Sequence, residues 1–363
     1  MKDRKPLHGI MLQAGDIILA AAAVFLSYCL SSCMLDGSVI VNSEHEFLSV
    51  PGSYLLYLLL MTFLQVIVLH INGVYRRSFG LLRIEELAWI LKSTTTSVII
   101  ILLLSFIPAI PELPSVMIIM ILPLSFIMLS TWHRFYRHFT EKTGLSTSIE
   151  EYSTLESVPP SLTGYKRILK RMMDLVLTVL LLLMLFPFCL ICLVLIVLES
   201  GLPVVYVQAR LGKDNKPFHM FKFRSMERCA HPRKKMISYL NEASFPLYKV
   251  RGDPRTTLVG RFMRRWSLDE MPQLINVIAG RMSLVGPRPP LQDEVEEYSK
   301  CAMKRMKVLP GMTGAWQVLG RSDLTFSEMI ALDLYYVYNW SIWIDMVIIL
   351  LTPEAVLLGR GAY

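Results

Sequence analysis

Charge is what this sequence has too little of. Of its 363 residues only 18% are charged, while 53% are hydrophobic; soluble domains carry roughly a quarter charged residues and about half apolar ones. The shortfall is gathered into long uncharged runs, which excludes an ordinary soluble globule and reads as membrane segments. A disulfide framework is also lacking. Of the six cysteines, Cys29, Cys33, Cys189 and Cys192 fall inside apolar runs, Cys229 and Cys301 stand far apart, and Cys189-x-x-Cys192 has no second metal-type pair. All six read as small core or lipid-facing residues. No internal repeat is visible. No cleavable leader is expected, because the first apolar run is long enough to span.

What charge there is leans positive, with a formal net of +8, and the positive residues lie outside the apolar runs. That suits anionic membrane lipids or phosphate-bearing substrates. A nucleic-acid protein would be as basic without needing apolar spans, so no nucleic-acid partner is expected. Four runs stand out, Ile17–Leu35, Phe47–Val74, Ser93–Pro111 and Leu113–Trp132. Each can cross ~30 Å of hydrocarbon as a helix. Lys2, Arg4 and Lys5 precede the first run, Arg76, Arg77 and Arg83 lie between the second and third, and Arg134, Arg137 and Lys142 follow the fourth. The two intervening loops, 36–53 and 108–114, have no Lys or Arg. This alternation fits the positive-inside rule at every loop, with both ends of the region 1–140 cytoplasmic.

Residues 141–164 are polar, rich in Ser and Thr, and contain Pro159-Pro160, which predicts a linker. A second unit, 165–363, opens with Lys166, Arg167, Lys170 and Arg171, followed by Leu175–Leu198 without a charge. Read blandly, this is a fifth crossing. Parity argues against it, because Arg210, Lys213 and Lys216 follow closely and mark the cytoplasmic side again. Pro187 in its middle breaks the hydrogen-bond ladder. The reading consistent with both is a re-entrant helix over 172–198 that bends at Pro187 and leaves on the side it entered. Beyond it, Val204–Gln208 and Phe218–Arg224 alternate apolar and polar around Gly212-Lys213-Asp214-Asn215, predicting a β-hairpin. Leu268–Ile278 predicts a short helix ending near Gly280. The apolar stretch Leu334–Leu351, with Tyr335, Tyr336, Tyr338, Trp340 and Trp343, suits the membrane interface or a core helix.

The chemically informative stretch runs from Asp253 to Pro289. It holds Asp253-Pro254-Arg255, then Arg261, Arg264 and Arg265, then Ser267-Leu268-Asp269-Glu270, with Arg281 and Pro287-Arg288-Pro289 beyond. Adjacent carboxylates are most often a solvated surface pair. Here they stand among arginines, the side chains best matched to phosphate oxygens. A carboxylate pair in that company can hold Mg²⁺ and a diphosphate together. Ser267-x-x-Glu270 is also a capping box. Pro272 would fall at the fifth helical position with Ser267 as cap, but at the third, where the amide is spare, with Asp269 as cap. Both readings put Asp269 and Glu270 at a helix N-terminus, which favours phosphate and a low carboxylate pKa.

The stretches Lys222-Phe223-Arg224-Ser225-Met226, Ser267-Leu268-Asp269-Glu270-Met271-Pro272-Gln273-Leu274, Ser283-Leu284-Val285-Gly286-Pro287-Arg288-Pro289 and Pro310-Gly311-Met312-Thr313-Gly314 resemble the bacterial sugar transferase family, the monotopic polyprenyl-phosphate phosphoglycosyltransferases. The likeness covers roughly Lys166 to Tyr363. The four-run N-terminal region, Trp316-Gln317-Val318, Gly320-Arg321-Ser322-Asp323, Asn339-Trp340-Ser341 and the terminal Gly359-Arg360-Gly361-Ala362-Tyr363 are similar to the larger members, the hexose 1-phosphate transferases. The resemblance implies an α-rich membrane protein of the bacterial inner membrane: four transmembrane helices, a re-entrant helix and a cytoplasmic α+β catalytic domain with a short β-hairpin. It implies a UDP-sugar donor, glucose or galactose being favoured, undecaprenyl phosphate as acceptor, and Mg²⁺. Asp269 would attack the β-phosphate, release UMP and carry the phosphosugar; Glu270 would help hold Mg²⁺; Arg264, Pro287, Arg288, Pro289 and Arg321 would form the substrate and phosphate site.

Three features depart from the family pattern. Only a linker stands where larger members have a nucleotide-binding-like domain, Arg281 replaces an acidic residue, and Phe245 replaces a glycine. Arg281 is the one feature favouring an alternative, a membrane scaffold of a polysaccharide assembly complex without turnover. A polytopic transferase built on the first four helices would need ionisable pairs inside them, and only Asp16 and Lys92, at their ends, qualify. Homo-oligomer formation is left open by the sequence.

Overall fold

The computed structural model describes residues 6–35, 52–75, 83–107, 115–140, 161–227, 252–320 and 324–357. The chain divides into two compact units, 1–144 and 145–363. The first contains α1 (Pro6–Leu35), α2 (Gly52–Ile71), α3 (Arg83–Leu104) and α4 (Ser115–Thr140). These helices reach past the uncharged runs at one end. Asp16 precedes the first run, Glu86 the third, and His133 follows the fourth. In the folded bundle the three meet: His133 Nδ1 lies 2.7 Å from Glu86 Oε1 and Nε2 lies 3.0 Å from Asp16 Oδ2. All three are buried, at 0–2% exposure. The charged residues thus belong to the helices because they neutralise one another inside the bundle. Asp16 is not the isolated charge its sequence position suggests, and Glu86 and His133 carry no sequence signal that they join it. Away from this cluster the core is apolar, built from Val24, Leu58, Met61, Ile101, Met117 and Ile121. Among the described residues, α1, α3, α4 and one helix of the second unit are long and apolar enough to cross a membrane.

That helix is α5 (Tyr165–Ser200), with Pro187 inside it. It leads into the expected hairpin, β1 (Val205–Leu211) and β2 (Pro217–Phe223), antiparallel with Gln208 opposite Met220 and Tyr206 opposite Lys222. The turn places Asp214 and Asn215 at positive φ, a conformation Asn and Asp tolerate. Then come α6 (Leu258–Arg265), α7 (Gln273–Ile278), β3 (Ser283–Val285), α8 (Gln292–Glu296), α9 (Lys300–Met303), β4 (Gly311–Thr313), α10 (Ala315–Leu319), α11 (Phe326–Asn339) and α12 (Ile342–Leu357). Strands β3 and β4 pair in parallel, a contact between distant segments too short for any alternation pattern to reveal. Gly286 and Gly311 permit it, since a Cβ at Gly311 would stand 2.1 Å from the Gly286 nitrogen.

Several sequence expectations change here. The helix expected over Leu268–Ile278 is two pieces, a 3₁₀ turn at Leu268–Glu270 and then α7, closed near Gly280 at φ 72°. Neither expected cap forms. Ser267 is in the left-handed region without a side-chain cap bond, and Pro272 occupies the cap position of α7. The aromatic stretch is split over two helices, with Tyr335, Tyr336 and Trp340 buried in the core. Tyr336 and Trp340 are 2% and 5% exposed, and both bond the buried Asp345 carboxylate, at 2.8 and 2.9 Å. Of the expected linker, residues 141–160 lie outside the described residues. Ser161 already belongs to the second unit, its hydroxyl donating to the Val337 carbonyl and accepting from the Trp340 amide.

The buried triad of the first unit generates a stability prediction. His133→Phe leaves two buried carboxylates without their shared partner, and breaking such a pair costs about 3 kcal/mol or more. The variant is expected to unfold well below wild type in detergent. Replacing all three residues with apolar side chains of similar size should recover most of the loss, which a thermal melt of both variants checks.

Candidate active site

The second unit assembles its polar residues from four directions. Thr257 caps α6, accepting from the Gly260 amide at 2.9 Å, while the Glu199 carboxylate at the end of α5 accepts from the Leu258 amide at 2.7 Å. Gly260 lets α6 lie directly on the chain at Ser225, where a Cβ would meet the Ser225 carbonyl oxygen at 2.0 Å. One turn on, Arg264 Nε therefore donates to Ser225 Oγ at 2.9 Å. Ser267, at φ 54°, reverses the chain, and the 3₁₀ turn presents Asp269 and Glu270. Beneath it, Met271 packs with Cys192, Ile196, Phe223 and Met263.

The hairpin supplies the cations. Asn276, fully buried, accepts from the Phe221 amide at 3.0 Å and donates to the His219 carbonyl at 2.7 Å, so α7 is stitched to the outer edge of β2. Lys222 is thereby brought onto Glu270, Nζ to Oε1 2.6 Å. Arg210 on β1 bonds Gln208 and donates to the Pro289 carbonyl. A small open cleft is lined by Arg210, Lys222, Glu270, Gln273, Arg288 and Gln317 among polar residues, with Met220, Met312 and Pro289. Asp269, next to Glu270 in the chain, does not line the cleft and is only 8% exposed. Three cations around a carboxylate pair make a cleft suited to a diphosphate.

The two carboxyls are driven apart. Burial holds Asp269 above the usual carboxylate range, against the pull of Lys222 and with the push of Glu270. Burial would raise Glu270 as well, but Lys222, Arg288 and Arg210 draw it down to about 2. Burial and the neighbouring Arg288 lower Arg210 to about 10. Paired groups with opposed shifts in a cleft are the arrangement expected of a reactive site.

Of the residues named from sequence, Glu270, Arg288 and Pro289 line the cleft, Asp269 is buried beside Glu270 without lining it, and Pro287 is buried in the same loop as Arg288. Arg264 bonds Ser225 and exerts its charge on Asp269. Arg321 and Phe245 lie outside the described residues. Arg281 is exposed and does not line the cleft. Asp253 and Arg255 pair with each other, 2.5 Å apart. In the sequence Arg210 marks only the cytoplasmic side and Lys222 only opens a family-like stretch; neither is given a role in the site. Their signal lay in the hairpin alternation, which puts positions 208, 210, 220 and 222 on one face.

The bacterial sugar transferase model matches residues 165–359, more than half of the chain. The chain belongs to the bacterial sugar transferase family. Among relatives of this sugar transferase, the galactosyl transferase CpsE of Streptococcus agalactiae serotype III is 45% identical over 165 residues, 45% of this chain and 37% of the relative. The exopolysaccharide production protein ExoY of Sinorhizobium fredii is 38% identical over 198 residues, 53% of this chain and 88% of ExoY. The UDP-glucose:undecaprenyl-phosphate glucose-1-phosphate transferase of Escherichia coli K12 is 38% identical over 231 residues, 60% of this chain and 47% of the relative. The match thus spans less than half of two of these three relatives.

The opposed shifts give stability predictions with definite signs. Ionised Asp269 costs stability at neutral pH, since its folded pKa is raised, so Asp269→Asn is expected to leave the melting temperature unchanged or higher. Glu270, depressed in the fold to about 2, contributes stability above its unfolded value of about 4.3 and loses it as pH falls through the folded value. Glu270→Gln should therefore melt lower at pH 7, with the gap from wild type narrowing in acid. Melting curves between pH 3 and pH 7 check both signs.

Proposed function

We propose that this chain transfers a sugar 1-phosphate, glucose or galactose, from a UDP-sugar to undecaprenyl phosphate, giving undecaprenyl-diphosphate-sugar and UMP. The reading rests above all on one observation, a half-buried carboxylate held at its anionic end by Lys222, Arg210 and Arg288, directly beside a buried carboxylate with a raised pKa. Relatives named for galactosyl and glucose-1-phosphate transfer support the substrate class.

In the first step a carboxylate oxygen of Asp269 attacks the β-phosphorus of the UDP-sugar. The bond from that phosphorus to the bridging oxygen breaks, and UMP leaves with the electron pair. In the second step a phosphate oxygen of undecaprenyl phosphate attacks the same phosphorus and expels Asp269 as carboxylate. Splitting the displacement in two is the use of a carboxylate nucleophile. Partial desolvation keeps Asp269 reactive, and Arg288, Arg210 and Lys222 face the phosphate charge as it shifts to the leaving group. Glu270 would help hold Mg²⁺, with substrate phosphates completing its shell; bound there, Mg²⁺ would supply charge neutralisation at the diphosphate.

A lipid acceptor requires the site at membrane depth, which a re-entrant α5 would provide. Arg171 donates to the Val277 and Ile278 carbonyls at the end of α7, while Cys189 touches Met271 just before it. A straight helix would carry Cys189 about 27 Å beyond Arg171, but the stretch from Met271 to Val277 is mostly helical and spans about 10 Å. The side chains and their contacts can bridge that difference, so the case for a bend rests on Pro187, which removes a hydrogen bond from the middle of the helix. The face it leaves outward is apolar, including Leu183, Met184 and Phe186, as contact with membrane lipids demands. The same reading places four crossings in the first unit and the cleft on the cytoplasmic face of the inner membrane.

Two experiments follow. With UDP-sugar alone, wild type is expected to release about one UMP per site and to gain a hexose phosphate on the peptide holding Asp269; Asp269→Asn should lose turnover by about 10³-fold or more. UMP release only in the presence of the lipid phosphate, with no adduct in rapid quench, would point instead to direct attack by the lipid. For topology, single cysteines replacing Arg167 and Leu202 in a cysteine-free background should both react only from the cytoplasmic side. Periplasmic labelling at 202 alone would make α5 a crossing and defeat the site's access to UDP-sugar.

A further inference from the structure

Residues 287–290 read Pro-Arg-Pro-Pro. Proline has no amide hydrogen, yet all three prolines are buried, and buried carbonyls need donors. Four consecutive carbonyls are met from outside the loop. Pro287 accepts from the Gly311 amide at 2.9 Å and Pro290 from the Leu211 amide at 3.1 Å. Pro289 accepts from Arg210 Nη1 at 3.0 Å and Arg288 from Arg305 Nη2 at 3.0 Å. Gly311, Leu211 and Arg210 stand on strands. Arg305 comes from the turn at Lys304–Lys307 and is itself held: its guanidinium pairs with Asp333 of α11 at 2.6 Å and donates to the Tyr298 hydroxyl at 3.0 Å. Arg305 and Asp333 are 5% and 1% exposed.

A buried ion pair is a weak source of stability, since an apolar pair would fill the same room at less desolvation cost. What this pair provides is a rigid donor under the one non-proline residue of the loop, whose side chain points into the cleft. Arg305 itself does not line the cleft. We propose that Arg305, backed by Asp333, is a positioning residue that fixes the Arg288 guanidinium beside Glu270 by gripping the Arg288 carbonyl. The proposal rests on the transferase reading above for its effect on turnover, but not for its effect on the loop.

The test uses full-length protein in nanodiscs, with Arg305→Lys and Asp333→Asn made alone and on Arg288→Ala. Lysine keeps the charge and loses the two-pronged fork. Arg305→Lys is expected to lower kcat/KM for UMP release about 10²-fold, the scale of a catalytic group displaced by about 1 Å. In the Arg288→Ala background the same change should add little, because its effect passes through that residue. Equal losses in both backgrounds overturn the proposal. Amide hydrogen exchange in the peptide 283–291 is the second readout. Both variants should exchange faster there than wild type at unchanged global stability, and unchanged exchange overturns the proposal even if activity falls. If Arg305→Lys does not fold, Asp333→Asn carries the same two tests. If wild type releases no UMP from any UDP-sugar, the transferase reading fails, and the exchange result still decides whether Arg305 holds the loop.

Discussion

Two carboxyl groups on consecutive residues repel, and withdrawing them from water makes the repulsion worse. Asp269 and Glu270 can share a 3₁₀ turn because Lys222 reaches Glu270 from a neighbouring strand, with Arg210 and Arg288 behind it. The surrounding architecture serves that neutralisation. The hairpin turns so that β1 and β2 offer cations from one face, Asn276 locks β2 to the helix that follows the dyad, and the parallel β3–β4 pair carries the Arg288 loop to the same cleft. The uneven result is one carboxyl drawn down by its cations and the other pushed up by burial, on adjacent residues.

The second unit also uses its membrane-type helix as a framework. Lys170 pairs with Asp345, and Asp174 accepts from Ser283 and the Leu284 amide, so the first half of α5 supports β3. Glu199 and Ser200 at its far end hold α6 and Arg224. A single apolar helix therefore touches both sides of the cleft's support. Charged residues that look like flanking positive-inside signals in the sequence, Lys170 and Arg171, are committed to internal bonds.

Legibility followed sequence range. The four apolar runs, the hairpin and its turn, and the dyad among arginines were readable because each is a local pattern of hydropathy, alternation or charge. The 3₁₀ break before α7 was not, since it depends on Ser267 adopting a left-handed conformation that no propensity favours. The parallel pair of three-residue strands was not, because its partners are distant and its enabling feature is two glycines in contact. Lys222 and Arg210 were half legible: the strands that carry them were expected, but which face turned toward Glu270 depends on Asn276. The triad of Asp16, Glu86 and His133 escaped because its members belong to three separate helices and each looks like a run boundary.

Asn276 has one more consequence. A two-stranded ribbon leaves an outward row of backbone donors and acceptors, and such a row invites another chain to pair with it. Asn276 places its amide oxygen against the Phe221 N–H and its amide nitrogen against the His219 carbonyl. One side chain thus imitates a third strand for the length of one residue pair. The ribbon is closed to strand exchange at that point, so copies crowded together on a bilayer surface cannot join edge to edge there.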